Sequence, residues 1–423
     1  MWCLDRFVGG FFCSLLARLQ VPHRQRAPNT STTENPVLFI GLAEMGSTIL
    51  ADPALRHARD IYGSTPCFSI FHHNAASLEL TGTVSAENTF TIRADNLLTL
   101  AVDTLRFMLW CRRRGIKTAV DIDPCSNFSA LLTLLSGAWT RVGLKHGSGK
   151  GRERIYTCGT RYQPDQHLSL NLLSLVDAAL APAPPRGRQS NAPVLPDVSQ
   201  HVIHENLQLE TLRRLQARNA EFEPGRHRIL LINPNQGDLL PQRRWPRENY
   251  LKLIDGILGD YPDVCIFVLG TQADASKVAE LVEEIGNPRC SSIAGAFSLN
   301  ELPALFACSK VMLSSDAGPA HFAAVTTLPV VALFGPETPV RYSPLGNATT
   351  LTANLACSPC IHPNNRRPPS CQNNRCMSAI SVGRVLGEVE RHLGKDEACL
   401  TNQLPPRATP APPPLDLVAP RVA

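Results

Sequence analysis

Apolar, strand-like runs alternate with helical segments twice along this chain, and that double alternation constrains its fold more than any other feature. The first series begins near residue 37 and closes with a helix near residue 180, and the second runs from residue 228 to 334. Buried parallel strands read as continuous apolar runs, and the helices between them cover both faces of the sheet. The sequence therefore predicts an α/β protein with two doubly wound parallel-sheet domains in succession.

The individual elements follow from the same pattern. In the first half we predict strands at 37–42, 66–71, 89–92 and 118–122, with helices at 47–61, 97–113, 127–135 and 166–180. In the second half we predict strands at 228–232, 264–269, 291–293, 310–313 and 329–334, with helices at 247–258, 273–285, 299–307 and 319–326. Ligands bind at the carboxyl ends of such strands, so we expect functional residues after strands, in a cleft between the domains.

Changes in composition divide the chain further. Residues 1–35 contain an apolar run at 7–17 followed by arginines, which predicts an amphipathic segment that rests on a membrane interface or packs on the protein's own body. The predicted domains span 36–181 and 228–350, and residues 182–227 are predicted as a linker region because their first part is rich in proline. A Cys-rich loop at 351–380, a helix at 381–395 and a proline-rich, disordered tail at 396–423 follow.

Composition limits the partners and the compartment. The chain has 423 residues, a net charge of +5 and 6% aromatic residues, and its cations are scattered, so no nucleic-acid partner is expected. Most of the 14 cysteines are isolated in apolar stretches, as in reduced cytosolic proteins. No apolar run reaches the ~18 residues of a spanning helix. We expect a cytoplasmic protein that can contact an anionic membrane peripherally.

The stretch VMLSSDAGPAHFAAVTTLPVVALFGPETP, at 311–339, predicts a tight turn between a strand and a short helix. Asp316 occupies the expected N-cap position and Pro319 the first helical turn, where a missing N–H costs nothing. The free N–H groups of Ala317 and Gly318 and the positive end of the helix dipole would then face an anion. The turn predicts either a phosphate-binding loop or an ordinary capped helix between two buried strands.

Four stretches of the second half resemble glycosyltransferase family 9, the heptosyltransferase-like enzymes of bacterial lipopolysaccharide assembly: RRWPRENY, LGTQ, IAGAFSLNELPALFACSKVMLSSDAGPAHFAA and LPVVALFGPETPVRYSP. The first half is similar more loosely, through VLFIGLAEMGSTILADPALRHAR and DIDPCSNFSALLTLLSGAWTRVGL. The resemblance covers about residues 37–386. It implies a GT-B fold, with two Rossmann-like domains facing a central cleft, and an inverting, metal-independent sugar transfer from a nucleotide donor without a catalytic cofactor.

The resemblance also implies a donor-binding set in the second domain. Its members are Arg243, Asp274, Asp316, Ala317, Gly318, His321 and Thr338. The turn at 316–321 would hold the donor's phosphates, although Ala317 stands where the family has a hydroxyl residue. Arg243 would bind phosphate or carboxylate, or it is a solvated arginine before a helix. Asp274 would hold the ribose hydroxyls or cap a helix.

The first domain departs from the family at the residue that removes the acceptor's proton. The family carries an aspartate after Met-Gly in the first loop, and this chain has Ser47 there. An alcohol acceptor needs a carboxylate or imidazole within hydrogen-bond reach, which serine does not provide unaided. Glu44, in the same loop, is the nearest replacement, and an exposed or helix-capping Glu44 is the alternative. Weaker candidates for the base are Asp52, Asp121 and Asp123.

Four of the last five cysteines have the spacing C-x2-C-x10-C-x4-C. They are Cys357, Cys360, Cys371 and Cys376. The spacing is compatible with a structural zinc ion, with two disulfides or with four free thiols, and none of the three arrangements predicts a catalytic role.

Three functions compete on this sequence. The first is transfer of a heptose-like sugar from an ADP-heptose-like donor to a lipid-linked or oligosaccharide acceptor, at the inner face of the bacterial inner membrane. The second is a nucleotide-sugar epimerase, which would need its own acid/base pair, and His321 and Glu337 are available for that role. The third is a catalytically inactive protein that binds nucleotide sugars or glycans, which the residues Ser47 and Ala317 leave open.

Overall fold

A computed structural model describes residues 36–42, 44–147, 151–180, 195–234, 240–361, 371 and 373–394. The predicted amphipathic segment at 1–35 and the predicted tail at 396–423 lie outside these residues. Within the described ranges, no helix combines the length and the apolar character that crossing a membrane requires.

The first half forms a five-stranded, all-parallel sheet in the order β3-β2-β1-β4-β5. Its strands are β1 (Val37–Ile40), β2 (Cys67–Phe71), β3 (Thr89–Ile92), β4 (Thr118–Asp121) and β5 (Thr140–Gly143). Its helices are α1 (Met45–Tyr62), α2 (Ala76–Thr81), α3 (Leu97–Arg114), α4 (Asn127–Leu135) and α5 (Leu168–Leu180). Along β1, Phe39 faces the helices α1 and α5, and Leu38 faces α3 and α4, because successive side chains of a strand point to opposite faces.

The second half forms a six-stranded, all-parallel sheet in the order β11-β10-β9-β6-β7-β8. Its strands are β6 (Arg228–Asn233), β7 (Val264–Val268), β8 (Cys290–Ser292), β9 (Val311–Ser315), β10 (Val330–Phe334) and β11 (Ala348–Thr352). The helices from here on are α6 (Glu205–Arg218), α7 (Arg247–Asp260), α8 (Ala275–Ile285), α9 (Leu302–Ala307), α10 (Gly318–Phe322), α11 (Pro339–Tyr342), α12 (Arg375–Ser378) and α13 (Val382–Leu393). Both halves therefore have the predicted doubly wound α/β architecture.

The structure adds elements that the sequence pattern did not predict. The predicted linker region at 182–227 contains the helix α6, whose sequence ENLQLETLRRLQAR is mostly polar. The strands β5 and β11 also escaped prediction, because each lies at a sheet edge and is only partly buried. Short edge strands carry weak apolar signals, so periodicity alone does not find them.

The two sheets share one continuous hydrophobic cluster. It contains Phe39 and Ile49 of the first half together with Leu231 and Phe306 of the second. Hydrogen bonds also cross between the halves: the His167 Nε2–H donates to the Ser343 carbonyl over 2.9 Å. The carboxyl ends of the two central strands therefore open toward a common cleft whose walls are in direct contact.

Candidate functional site

The loop after β1 and the turn after β9 meet in the cleft. Gly46, in the first turn of α1, lies so close to α10 that a Cβ at this position would be 2.9 Å from His321 Cδ2. Only glycine fits such an approach without displacing the imidazole. The loop that the resemblance assigns to the acceptor side thus packs directly on the turn that it assigns to the donor phosphates.

The turn before α10 differs in one detail from the prediction. The N-cap residue is Ala317, with an extended backbone, and not Asp316. Alanine offers no side-chain acceptor, so the N–H groups of the first turn have no side-chain cap. Pro319 lies within the first two helical positions, as predicted. Asp316 therefore does not cap the helix, and its side chain faces Arg243.

Asp316 and Arg243 form an ion pair at the base of this turn. Arg243 Nε lies 3.2 Å from Asp316 Oδ2, and Arg243 Nη1 donates to the Asp316 carbonyl over 3.3 Å. The Nε and Oδ2 atoms are close but not aligned as a hydrogen bond, and neither has another hydrogen-bond partner in the described residues. Both atoms are buried, and part of their hydrogen-bonding capacity is unused within the described residues.

Burial shapes the charge of this turn. It raises the pKa of Asp316 to about 6, against the opposing effect of Arg243. It also lowers the pKa of His321 to about 3, with Arg243 and His167 contributing in the same direction. His321 is therefore neutral at physiological pH, and its buried Nδ1 has no hydrogen-bond partner among the described residues. The net charge of the turn is set by the Arg243 cation and the partly ionised Asp316.

Glu337 and Arg341 form a second buried pair beside the turn. Arg341 Nη2 lies 3.1 Å from Glu337 Oε1, and the two side chains are 3% and 5% exposed. Burial raises the pKa of Glu337 to about 7, and the neighbouring Asp316 carboxylate acts in the same direction. Thr338 caps α11, because its Oγ1 accepts from the Val340 N–H over 3.3 Å. Arg341 lies in the motif GPETPVRY, but nothing local in the sequence marks it as the partner of Glu337.

The opposite wall carries Glu44, which is exposed and stands at the N-cap position of α1 without a side-chain cap bond. Ser47 Oγ donates to Glu44 Oε2 over a long 3.4 Å. The negative charge of Glu44 raises the pKa of Asp123 in its own half and of Asp316 and Tyr342 across the cleft. Glu44 therefore stands electrostatically close to the turn at 316–321 and has an exposed carboxylate with one long hydrogen bond.

Asp121 and Asp123 lie in a buried network behind Glu44. Asp121 Oδ2 accepts from Arg152 Nη2 over 3.0 Å and from the Tyr156 hydroxyl over 2.6 Å. Asp123 Oδ2 accepts from the Leu42 N–H over 2.9 Å. Burial raises the pKa of Asp123 to about 7, and the Asp121 charge adds to the shift. The network fixes the backbone of the first loop, and the motif RERIYT, which contains Arg152 and Tyr156, supplies its cation and hydroxyl.

Asp52 and Asp274 are engaged in structural contacts. Asp52 is fully buried and accepts from the Ser199 N–H over 2.8 Å, with Thr83 and Arg56 as further partners. Asp274 accepts from the Thr271 N–H over 3.1 Å and from its hydroxyl over 2.6 Å, which is a capping box. Asp52 is thus occupied in holding the segment near residue 199 against α1, and Asp274 caps a short helical turn.

None of the four clustered cysteines forms a disulfide bond within the described residues. Burial raises the pKa of Cys360 and Cys376, and Cys371 raises both further, so these three thiols are neighbours. No group of three or more His, Cys, Asp or Glu side chains in the described part of the chain is arranged to hold a metal ion. A structural zinc ion at these cysteines stays a prediction from their spacing.

The comparison with protein-family models finds a match that includes parts of both halves of the chain. The model of glycosyltransferase family 9 (heptosyltransferase) matches residues 127–370. Among curated proteins, lipooligosaccharide heptosyltransferase 2 of Haemophilus influenzae is 29% identical over 147 residues, which cover 34% of this chain and 41% of that protein. Lipopolysaccharide heptosyltransferase 2 of Escherichia coli is 29% identical over 110 residues, 25% of this chain and 31% of that protein. The chain thus matches less than half the length of these curated relatives.

Solved structures extend the likeness to the whole fold. The ADP-heptose LPS heptosyltransferase II of E. coli superposes with a TM-score of 0.64 at 18% identity, covering 85% of this chain and 98% of that chain. A family 9 glycosyltransferase of Veillonella parvula superposes with a TM-score of 0.65 at 19% identity, covering 85% and 97%. The architecture is therefore the GT-B fold, as the sequence predicted.

Proposed function

Because the chain belongs to glycosyltransferase family 9, we propose that it transfers a heptose-like sugar from a nucleotide-sugar donor to a lipopolysaccharide or another cell-envelope glycan. One observation carries the proposal. The loop with Glu44 packs on the turn with Asp316 and His321 through the Gly46 contact, so an acceptor-side carboxylate and an anion-binding turn share one cleft. That juxtaposition supports a reaction between two bound substrates rather than binding of one.

On the donor side, Arg243 and the uncapped N–H groups at Gly318 would bind the diphosphate. The position of the Arg243 guanidinium against the turn at Asp316 supports this role. In the reaction the bond between the anomeric carbon and the diphosphate oxygen breaks, and negative charge develops on the leaving nucleotide. A guanidinium and fixed backbone donors stabilise that charge without a metal ion, which is the basis for proposing metal-independent transfer. ADP, found in the names of structural relatives, is the proposed nucleotide.

On the acceptor side, Glu44 would act as the general base. It would take the proton of the acceptor hydroxyl as the oxygen attacks the anomeric carbon from the face opposite the leaving diphosphate, which inverts the configuration. An exposed carboxylate suits this role, because an acceptor can reach it. The charge coupling of Glu44 to Asp316 across the cleft supports a position between the two substrates. Ser47 would orient the carboxylate through its hydroxyl.

A second candidate function is binding of a nucleotide sugar without turnover. It is favoured by one observation: the family's acidic position holds Ser47, and its contact with Glu44 is long. Binding and transfer use the same donor residues, so the turn around Asp316 does not discriminate between them.

The test is a panel of nucleotide sugars, each incubated with the purified protein with and without truncated lipopolysaccharide acceptors. We expect ADP release and a heavier acceptor only when ADP-heptose and an acceptor are both present. Conversion of the nucleotide sugar without an acceptor would indicate an epimerase. Donor binding without turnover under every condition would leave the inactive binding protein as the correct description.

The proposed place of action is the cytoplasmic face of the inner membrane, where a lipid-linked acceptor would be exposed to a nucleotide sugar. Support comes from the family and from the heptosyltransferase names of the curated relatives. Fractionation of cells should find the protein divided between the cytoplasm and a salt-extractable membrane fraction.

A further inference from the structure

The outward face of α3 carries a row of exposed apolar side chains. Leu98, Val102, Leu105 and Leu109 are 75%, 37%, 62% and 51% exposed. Their spacing of four, three and four residues places them on one face of a helix. We call these four residues the α3 ridge. An ordinary surface helix shows polar residues on this face, so the ridge reverses the usual pattern.

The packing of α3 fixes which way the ridge points. Phe107 and Cys111 on the opposite face are fully buried against the first sheet. Asp103, also buried, is held by Arg93 through two hydrogen bonds of 2.8 Å. The helix is therefore anchored along its length, and the ridge does not turn inward without breaking these contacts.

Cations and an exposed tryptophan surround the C-terminal end of the ridge. Arg112 and Arg113 continue the outward face, and both are exposed without an ion-pair partner among the described residues. Lys117, three residues after the helix, is also exposed. Its carbonyl accepts from the N–H of Trp139, whose side chain is 62% exposed. Apolar side chains bordered by arginines and an amphipathic tryptophan are the composition of a helix that lies in a membrane interface.

We propose that the α3 ridge docks on a lipid bilayer that contains anionic lipids. The leucines would enter the boundary between headgroups and acyl chains, and Arg112, Arg113 and Lys117 would contact the anionic headgroups. A second copy of the chain is the less suitable occupant. A stable protein interface buries about 800 Å² on each partner, which is more than four side chains on one helical face present.

Docking through α3 would also orient the cleft. In a parallel sheet a connecting helix begins at the carboxyl end of one strand and runs back antiparallel to the strands. The Leu98 end of the ridge therefore lies at the same edge of the sheet as the Glu44 loop. A membrane along the ridge would bring that edge near the lipid, which suits a lipid-linked acceptor; this orientation, unlike the docking itself, rests on the proposed function.

The test uses the full chain and vesicles, without donor or acceptor, so that its outcome is independent of the transfer reaction. Co-sedimentation is measured with vesicles of phosphatidylglycerol and phosphatidylcholine and with phosphatidylcholine alone. In Leu105→Gln/Leu109→Gln we expect the partition coefficient on the anionic vesicles to fall at least about tenfold, because two leucine side chains no longer enter the interface. The matched control is Leu195→Gln/Val202→Gln, which changes two exposed apolar residues outside the ridge and should bind as the wild type does.

A second variant separates charge from apolar insertion. Arg112→Gln/Arg113→Gln should weaken binding to the anionic vesicles by roughly tenfold or more and leave binding to phosphatidylcholine unchanged. Leu105, Leu109, Arg112 and Arg113 are all exposed, so both variants should have the same thermal unfolding temperature as the wild type. The proposal would be overturned if the wild-type protein does not bind the vesicles. It would also be overturned if Leu105→Gln/Leu109→Gln binds them as tightly as the wild type does. A dimeric wild type that becomes monomeric in the ridge variant, without vesicles, would assign the ridge to a second copy instead.

Discussion

In the proposed reaction Glu44 is the base, because Ser47 occupies the position where the resemblance implies an acid. Its carboxylate is exposed and accepts one long hydrogen bond from Ser47. The charge of this carboxylate also contributes to the raised pKa of Asp316. Asp123 is the other carboxylate on this wall, but it is buried and holds the Leu42 N–H. A base must reach the acceptor hydroxyl, and of these two side chains Glu44 is exposed whereas Asp123 is buried.

Glu44→Gln should therefore lower the transfer rate by about 10²-fold or more while donor affinity stays unchanged, because the loss of a general base slows chemistry and not binding. Rates are measured as acceptor-dependent nucleotide release, and affinity by titration with the donor. Glu87→Gln, an exposed glutamate away from the cleft, is the matched control and should retain full activity. Unchanged turnover in Glu44→Gln would eliminate Glu44 as the base.

The proposed site residues can be picked out from the sequence, but their contacts cannot. The turn at 316–321 and Arg243 were both singled out, but the N-cap assignment of Asp316 was wrong because Ala317 takes that position. Capping preferences describe isolated helices, and here the ion pair with Arg243 competes for the same carboxylate. The Asp121–Arg152 pair was not predicted, since its partners are 31 residues apart and nothing local marks them.

At the scale of elements, the contact between α1 and α10 joins the two walls of the cleft. Gly46 makes that contact possible, because a methyl group there would lie 2.9 Å from His321 Cδ2. The imidazole is buried in the cleft, so it has little room to withdraw. The distance between the loop at 44–47 and the turn at 316–321 is therefore set by this glycine.

Gly46→Ala should destabilise the protein by about 1–3 kcal/mol, as overpacking of a buried contact does, with part of the cost offset by the better helix propensity of alanine. Gly383→Ala is the control, because a Cβ in that helix meets nothing within 4 Å, and it should be neutral or stabilising. Both are compared by chemical denaturation. Equal stability of the two variants would mean that α1 and α10 are not in close contact in solution.

The Cys-rich loop gives an independent prediction at this scale. If the spacing of the four cysteines reflects a structural zinc site, native mass spectrometry should detect one zinc ion, and Cys357→Ser/Cys360→Ser should lose it. Removal of zinc with a chelator should lower the unfolding temperature without a specific loss of donor binding at the cleft. Protein purified without any bound metal, with four titratable thiols, would support free cysteines.

Some elements followed from the sequence and others did not, for a physical reason. The strand at 89–92 and the helix at 127–135 have the bounds that periodicity predicts. The helix α6 was missed because it buries only Thr211 and Leu215 and otherwise shows a polar sequence. A helix held by a few tertiary contacts carries little apolar periodicity, so its signal resembles that of a loop.

At the scale of the whole molecule, buried acids make stability depend on pH. An acid whose pKa is raised in the folded state stabilises the protein below its ordinary pKa, and that contribution is lost as the pH rises through the raised value. The pKa of Glu337 is raised from 4.5 to about 7, so the window lies between about pH 4.5 and 7. The lowered pKa of His321 changes the pH dependence of stability in the opposite direction. A variant of Glu337 compared with the wild type therefore gives a clearer test than the wild type alone.

Glu337→Gln should therefore cost more stability at pH 5 than at pH 8, with a difference on the order of 1 kcal/mol, because only the wild type gains from protonation at pH 5. Denaturant unfolding of both proteins at the two pH values gives the comparison. A cost that is larger at pH 8 would show that the ion pair with Arg341 outweighs the burial of the carboxylate.

For the whole molecule, we propose that the cleft between the two sheets holds a sugar donor and an acceptor while the sugar is transferred. The most direct measurement is the mass of a truncated lipopolysaccharide acceptor after incubation with ADP-heptose and the protein, beside Arg243→Ala as the donor-site variant. We predict an acceptor heavier by one heptose residue with the wild type and little or no product with Arg243→Ala. An acceptor of unchanged mass, from protein that binds ADP-heptose and is folded, would contradict the assignment of this cleft to glycosyl transfer.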